Sequence, residues 1–383
     1  MKLLWLLLGC ATAMRAGPAV VFLGPDPAPW RKAIEERGWR LVVPPPAAAP
    51  LWSEAGAEAL QAYLRNPAAS NLQDPEGAFL IAAGDQASAA FYLASRMPDL
   101  WRAVLALGGN PKIAIDTNRL YAANTQFVPV LWIVAPESKD AMDVLRHRLA
   151  VAGYNLEMRT GEGFTFGQAL DWLASKRRDP VPYKIDCETG SPAFPRCYWA
   201  TIVEFDPSRR NDALPTTRVP PGSGASLGLG PFGFNPSEAG PGVRIGYLPP
   251  DYKGKLKLED RIVSVGGRAI RDARDYLEMM DQMNEEKTVA VIIQRGKERL
   301  RLETRIALPR REELLTARLQ AEFLLEGRIL QVITRNIAAL KLSIPDAWTP
   351  AQVNWNGDDA GLVTSAGCWL LNARRTPLLA PCP

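Results

Sequence analysis

The sequence predicts a parallel α/β domain, followed by a β-rich domain into which a glycine-rich domain is inserted. Over residues 17–180, short apolar runs alternate with helical patterns, which is typical of a mostly parallel sheet with helices on both faces. A glycine-rich stretch at 220–309 separates two strand-rich segments, 181–219 and 310–365. The 383 residues, 47% of them hydrophobic, are enough for two or three domains with proper cores.

The first 16 residues are similar to an export signal. Lys2 precedes the apolar run Leu3–Leu8, and small residues offer cleavage after Ala13 or Ala16. The sequence therefore predicts a secreted or periplasmic protein. Two alternatives are a lipoprotein, anchored through a lipid at Cys10, and a cytoplasmic protein with a misassigned start. No stretch has the length of a transmembrane helix.

Charge and cysteine usage narrow the class of partner and compartment. The net charge of +4 comes without a long basic block, so no nucleic-acid partner is predicted. Four cysteines form two sequence-local pairs, Cys187 with Cys197 and Cys368 with Cys382, the second in a C-terminal tail at 366–383. Local pairs favour disulfides of an oxidising compartment, with free buried thiols as the alternative. No Cys/His cluster is present, so we predict neither a metal nor a cofactor.

The periodicity of apolar residues sets the elements of the first domain. The predicted strands are Ala19–Leu23, Trp39–Val43, Ala78–Ala83, Ala103–Leu107, Val128–Val134 and Leu156–Thr160. The predicted helices are Trp30–Gly38, Glu54–Leu64, Ala89–Met97, Ala141–Ala152 and Phe166–Lys176.

The segment from Gly84 to Ser88, Gly-Asp-Gln-Ala-Ser, lies between a predicted strand and a predicted helix. A hydrolase nucleophile elbow has this setting, because the sharp turn lifts a serine above the sheet. With that elbow, residues 17–180 resemble the α/β-hydrolase fold, in the branch of secreted esterases, depolymerases and dienelactone-hydrolase-like proteins. The nucleophile position holds Gln86, however, and an amide cannot attack a carbonyl.

The resemblance also locates the other catalytic positions. The histidine position corresponds to Phe164, and the remnant acid to Glu137 or Asp140. The sole histidine of the chain, His147, lies in a helix on a face predicted to be solvated. Because attack needs a nucleophile and a base, the resemblance implies a scaffold without a conventional triad. The alternative is an esterase or peptidase-like hydrolase with a displaced nucleophile such as Ser88.

The glycine-rich domain contains the run Leu-x-x-Glu-Asp-Arg-Ile-Val-Ser-Val-Gly-Gly at 256–267. Its predicted elements are the hairpin-like Ser237–Gly242, strand Val243–Leu248, helix Asp272–Asn284, and strands Thr288–Arg295 and Arg299–Ile306. This order and this run resemble a PDZ domain of the bacterial periplasmic type over residues 220–309. The pattern departs from the family at Glu259, where glycine usually precedes the aspartate.

PDZ domains capture a peptide C-terminus as an added strand beside a helix. The resemblance implies that a glycine-rich loop binds the carboxylate through backbone N–H groups. That loop would be Leu227, Gly228, Leu229 and Gly230. It also implies a groove helix at Asp272–Asn284, in which Tyr276, Met280 and Met283 are candidate pocket residues. The alternative for these three is core packing.

Alternating patterns predict a β-rich domain on both sides of the insertion. Its predicted strands are Tyr183–Asp186, Tyr198–Val203, Ala317–Leu324, Arg328–Thr334, Ala339–Ile344 and Gln352–Trp355. Together these features predict an exported, non-catalytic protein that binds peptide or protein C-termini. A third possibility is a structural envelope component in which the glycine-rich domain covers a vacant cleft.

Overall fold

The computed structural model of the chain describes residues 17–72, 76–235, 238–309, 315–376 and 378–383. The predicted export signal, with Cys10, lies outside these residues, and so does Ser237 of the predicted hairpin. The chain divides into two compact units, residues 221–313 and the sequence on either side of them. Within the described ranges, no helix combines the length and apolar character that crossing a bilayer requires.

The first part of the larger unit is a parallel six-stranded sheet, as the sequence predicted. Its strands are β1 (Ala19–Leu23), β2 (Arg40–Val42), β3 (Ala78–Ala83), β4 (Trp101–Leu107), β5 (Val130–Val134) and β6 (Leu156–Thr160). They lie in the order β2-β1-β3-β4-β5-β6. The helices are α1 (Ala28–Glu35), α2 (Glu54–Arg65), α3 (Pro67–Ser70), α4 (Ala87–Arg96), α5 (Lys112–Asp116), α6 (Lys139–Val151) and α7 (Phe166–Ala174).

Helices cover both faces of this sheet, because each central strand is apolar on both sides. In β1, Val21 belongs to a core cluster that includes Leu60 of α2, Phe91 of α4 and Leu149 of α6. Val20, the preceding residue, belongs to the cluster that includes side chains of α1 and α7. Successive strand residues point to opposite faces, so an uninterrupted apolar run indicates a strand buried on both sides.

A β-rich region completes the larger unit with strands from both sides of residues 221–313. It begins with β7 (Lys184–Thr189), β8 (Arg196–Cys197) and β9 (Ala200–Phe205). The smaller unit follows, with β10 (Ser226–Leu227), β11 (Val243–Arg244), β12 (Arg261–Val265), β13 (Arg268–Ala269), helix α8 (Ala273–Asp281), β14 (Thr288–Arg295) and β15 (Glu298–Ala307). The β-rich region then resumes with β16 (Ala317–Leu324), β17 (Ile329–Arg335), β18 (Ile337–Ile344), β19 (Ala351–Trp355), β20 (Asp358–Val363), β21 (Gly367–Asn372) and β22 (Leu379–Pro381).

Two mostly antiparallel five-stranded sheets enclose the core of the β-rich region. Their orders are β20-β19-β17-β16-β7 and β22-β21-β18-β9-β8, with one parallel pair, β17 and β19. Their inward side chains form one apolar cluster that is rich in tryptophan. Residues 366–383, which the sequence predicted as a tail, contribute β21 and β22 to the second sheet.

Both predicted disulfides are present. Cys187 and Cys197 are joined with Cα atoms 6.0 Å apart, and Cys368 and Cys382 with Cα atoms 5.3 Å apart. The first bridge joins β7 of one sheet to β8 of the other. It therefore ties together the two layers of the β-rich region. Disulfides form and persist mainly in oxidising compartments, so the two bridges favour a location outside the cytoplasm.

The smaller unit has its own sheet and its own core. The sheet order is β10-β15-β14-β12-β11, with β13 paired to β12, and its neighbours run antiparallel. Helix α8 begins after Asp272, whose side chain accepts a hydrogen bond from the Asp275 N–H at 2.8 Å. The buried side chains of α8 and the sheet form a single apolar cluster.

Candidate functional site

Loops at the carboxyl edge of the parallel sheet hold the positions at which the sequence predicted hydrolase groups. Gln86 follows β3, Glu137 and Asp140 follow β5, and Phe164 follows β6. The strand order reverses between β1 and β3, which is where open α/β sheets usually bind ligands. Since β6 lies three strands from β3, the loops carrying Gln86 and Phe164 start about 14 Å apart.

The turn at Gln86 lacks the backbone strain of a nucleophile elbow. A 3₁₀ turn over Gly84–Gln86 joins β3 to α4, and its positive φ, +59°, falls on Gly84. Gln86 itself has φ −79° and ψ −15°, which is ordinary helical backbone. The strand, turn and helix of the predicted motif are therefore present, but residue 86 is not held in the strained conformation of an activated nucleophile.

Ser88 serves the packing of the domain. Its Oγ accepts a hydrogen bond from the Asn110 N–H at 2.7 Å, which joins the loop after β4 to the first turn of α4. Gly109 lies so close that an added Cβ would come within 2.5 Å of the Ser88 backbone nitrogen. His147 is exposed on α6, and no hydrogen bond links it to Ser88 among the described residues. Ser88 thus has no histidine base in the described chain.

The other positions that the sequence predicted for a hydrolase do not supply a histidine base for Ser88 either. Phe164 is half-buried and packs against the core on the α1 and α7 side of the sheet. Glu137 and Asp140 are both exposed, in the turn before α6 and in its first turn. A base, an acid and a nucleophile are thus not assembled at this edge within the described ranges.

A second candidate site is the edge of the smaller unit that contains the predicted carboxylate loop. The side chains of Leu227 and Leu229 are buried, with 4% and 7% of their surface exposed. The N–H of Gly228 between them donates to the Arg305 carbonyl of β15 at 2.7 Å. Because N–H directions alternate along an extended chain, the N–H of Leu229 points away from β15.

The chain then forms a short extended segment, Phe232–Phe234, which we call the edge segment. Gly233 at its centre donates to the Tyr247 carbonyl at 2.8 Å and accepts from the Tyr247 N–H at 3.1 Å. The N–H groups of Phe232 and Phe234 therefore point to the opposite side. Within the described chain, the N–H groups of Leu229, Phe232 and Phe234 have no acceptor.

Helix α8 borders the same stretch of chain. The ring of Phe234 meets that of Tyr276 edge-to-face, with centroids 5.6 Å apart. Further back along the chain, the Ser223 N–H donates to Asp281 at 3.1 Å, and its hydroxyl donates to the Met280 carbonyl. The chain from Ser223 to Phe234 thus runs beside α8, from the end of the helix toward its middle.

The side chains of α8 divide into core residues and one exposed apolar residue. Tyr276 and Met280 are 5% and 4% exposed, so the core takes up most of their surface. Met283 was predicted on the helix, but it lies two residues after the end of α8 and is half-buried. Leu277 is 45% exposed and lies one turn before Asp281, hence on the helix face that meets Ser223. Leu277 was not among the site residues predicted from the sequence, although its spacing of four residues from Ala273 and three from Met280 could have identified it.

No protein-family model matches this chain, and neither does any curated protein.

Two buried carboxylates hold the elements around the edge segment. Asp260 is 1% exposed and accepts two hydrogen bonds of 2.8 Å from Arg295. Burial alone would raise the pKa of this carboxyl group. The hydrogen bonds from Arg295 and from the Lys257 N–H outweigh burial, so the pKa is lowered. Asp275 accepts from the Arg271 N–H at 3.0 Å, and this bond lowers its pKa despite burial. Both groups are therefore ionised structural anchors at neutral pH.

The chemistry available at the edge is that of backbone recognition. Unpaired N–H groups can donate to the carbonyl groups of an extended chain or to an anion. In the described ranges, no group of three or more His, Cys, Asp or Glu residues is placed to hold a metal ion. The arrangement suits binding of a peptide backbone.

Proposed function

We propose that this chain is an exported peptide-binding protein whose site is the edge of the smaller unit. The observation that carries the proposal is the row of N–H groups at Leu229, Phe232 and Phe234 without acceptors in the described chain, beside helix α8. A peptide laid between the edge segment and α8 would pair with these groups as an added strand. This mode of binding is that of a PDZ-type domain, to which we assign residues 220–309.

The ligand class follows from the two ends of the edge. The exposed glycines 228 and 230, with the N–H groups of Leu229 and Gly230 that have no acceptor in the described chain, suit a terminal carboxylate. Leu277 of α8 and Met283, two residues after its end, leave apolar surface open, which suits apolar side chains of the ligand. The proposed ligand is therefore the C-terminal segment of a peptide or protein with apolar residues near its end.

We further infer that the parallel sheet is a hydrolase-like scaffold without hydrolytic activity. The relaxed backbone at Gln86 and the structural hydrogen bond of Ser88 support this inference. Export is supported by the two disulfides, which are stable in oxidising compartments.

Binding of fluorescent peptides to the full chain, followed by anisotropy, tests the proposal. The peptides are a library of short sequences with free C-termini and apolar last residues. We expect submillimolar binding that Leu277→Glu weakens at least about tenfold, because the new charge enters the groove and repels the carboxylate. Gln282→Glu adds the same charge at the exposed residue that follows α8, five positions from Leu277, and should bind like the wild type.

The result would contradict the proposal in two cases. In the first, no peptide of the library binds the wild-type chain. In the second, both variants bind as the wild type does, which would place the ligand away from the face of α8 that carries Leu277. Circular dichroism of both variants checks that α8 remains folded.

A further inference from the structure

Tyr252 lies against the loop that we propose as the carboxylate site. Its hydroxyl donates to the Leu229 carbonyl at 2.5 Å, since that carbonyl has no proton to give. The same hydroxyl oxygen accepts from the Leu256 N–H at 3.3 Å. The backbone of Tyr252 is held by a turn, in which its N–H donates to the Pro249 carbonyl at 3.0 Å. Both the position of the hydroxyl and the direction of its proton are thus fixed.

The ring of Tyr252 occupies space that two glycines leave free. A Cβ added to Gly230 would come within 2.9 Å of the Tyr252 ring, and one added to Gly254 within 2.1 Å of its hydroxyl. Gly230 also has φ +84°, a conformation that side chains disfavour. The loop and the tyrosine are therefore fitted to each other closely.

The hydrogen bond from Tyr252 determines where the next N–H points. In a trans peptide, the N–H of Gly230 lies opposite the Leu229 carbonyl. With that carbonyl turned toward Tyr252, the Gly230 N–H points away from the tyrosine, and it has no acceptor in the described chain. Leu229 contributes a second free N–H directly before it. Successive free N–H groups at a positive-φ residue form an anion-binding concavity.

We propose that Tyr252 is a positioning residue that sets this loop to receive a terminal carboxylate. The inference rests on the proposed function and deepens it, because it assigns the selection of chain ends to one hydroxyl. Without that hydroxyl, the Leu229–Gly230 peptide plane is free to rotate, and the Gly230 N–H that it carries no longer converges with the N–H of Leu229. The expected consequence is a loss of preference for a carboxylate over a neutral end, with strand pairing along Phe232–Phe234 retained.

The test compares one peptide in two forms, with a free C-terminus and with a C-terminal amide, on the full chain. The wild type should bind the free acid about tenfold more tightly, because hydrogen bonds to charged groups contribute about 1.5–3 kcal/mol. Tyr252→Phe keeps the ring between the two glycines and should lower affinity for the acid about tenfold, leaving the amide unchanged. Tyr183→Phe is the matched control: Tyr183 is 46% exposed and belongs to the larger unit, so this variant should bind both forms as the wild type does.

Each other outcome overturns a distinct claim. Equal affinity of the wild type for the two forms would remove the carboxylate site and the role of Tyr252, while strand addition would stand. An equal loss for both forms in Tyr252→Phe would show that the tyrosine supports the fold and does not select the end. Failure of the wild type to bind either form would overturn both this inference and the proposed function.

Discussion

Replacement of Glu188 by alanine is expected to destabilise the larger unit more than any exposed charge change on the same sheet. The Glu188 side chain on β7 is fully buried, with 0% exposed. Its carboxylate accepts from Thr216 Oγ1 at 2.6 Å, from the Thr217 N–H and hydroxyl at 2.6 and 2.8 Å, and from the Thr316 hydroxyl. Arg335 completes the set at 3.0 Å. One carboxylate thus binds chain segments from both sides of residues 221–313.

The loss of stability in Glu188→Ala is set by the groups that lose their hydrogen-bond or charge partner. The Arg335 side chain is 15% exposed and would lose its counter-charge. Breaking a buried ion pair by removing one partner costs about 3–5 kcal/mol. Hydrogen-bond donors left unsatisfied add about 1–3 kcal/mol each where water does not reach them. We therefore expect Glu188→Ala to cost at least about 4 kcal/mol, and Glu188→Gln about 2 kcal/mol, because the amide keeps one acceptor but turns an NH₂ toward donors.

Urea unfolding followed by tryptophan fluorescence measures this difference, because the core of the β-rich region is rich in tryptophan. The matched control is Glu322→Ala on the neighbouring strand β16. Glu322 pairs with Lys184 at 3.0 Å, and the two side chains are 41% and 58% exposed. Such an exposed pair contributes about 0–1 kcal/mol. The reasoning is refuted if Glu188→Ala lies within about 1 kcal/mol of this control.

Three further predictions concern particular local features. Glu259→Gly should raise the thermal midpoint of the smaller unit, because Glu259 has φ +70° and a non-glycine residue there costs about 1 kcal/mol; a lower midpoint would contradict this. The pKa of Asp260 lies below its usual 3.8, because the hydrogen bonds from Arg295 outweigh the effect of burial. The ionised carboxylate therefore stabilises the fold above about pH 4, and this stabilisation is lost as the pH falls through the pKa of the folded state. Asp260→Asn should flatten the loss of stability between pH 5 and pH 2, and an unchanged slope would count against the role of the pair. Joint replacement of Cys187 and Cys197 by alanine should cost about 3 kcal/mol in urea unfolding, and a shift below about 0.5 kcal/mol would exclude a stabilising bridge.

The strands of the parallel sheet were predictable because their sequences carry the signal locally. Ala19–Leu23 and Ala78–Ala83 contain no polar residue, and the structure has both strands with the same bounds. The last strands carry no such pattern. β20 begins with two aspartates and contains Gly361, and β21 begins at Gly367. Their extended state depends on pairing with β19 and β18, which tertiary structure supplies and local sequence does not.

Less of the candidate site could be read from the chain alone. The glycines at 228 and 230 indicated the loop, because close approach of a backbone requires them. The unpaired N–H groups of Phe232 and Phe234 depend on the pairing of Gly233 with Tyr247, a non-local contact. In the same way, the relaxed φ of Gln86 is a property of the folded turn and leaves no mark in the residue types.

The convergence of two threonines on Glu188 has a consequence for how this architecture can change. The hydroxyls of Thr216 and Thr316 donate to the same carboxylate oxygen of Glu188. The chain therefore leaves the larger unit, before residue 221, and re-enters it, after residue 313, at two points that lie close together. Such closely spaced crossing points are the geometry that tolerates grafting of foreign modules. Excision of the intervening stretch, or its exchange for another folded piece, would thus leave the host's buried residues and its disulfides untouched.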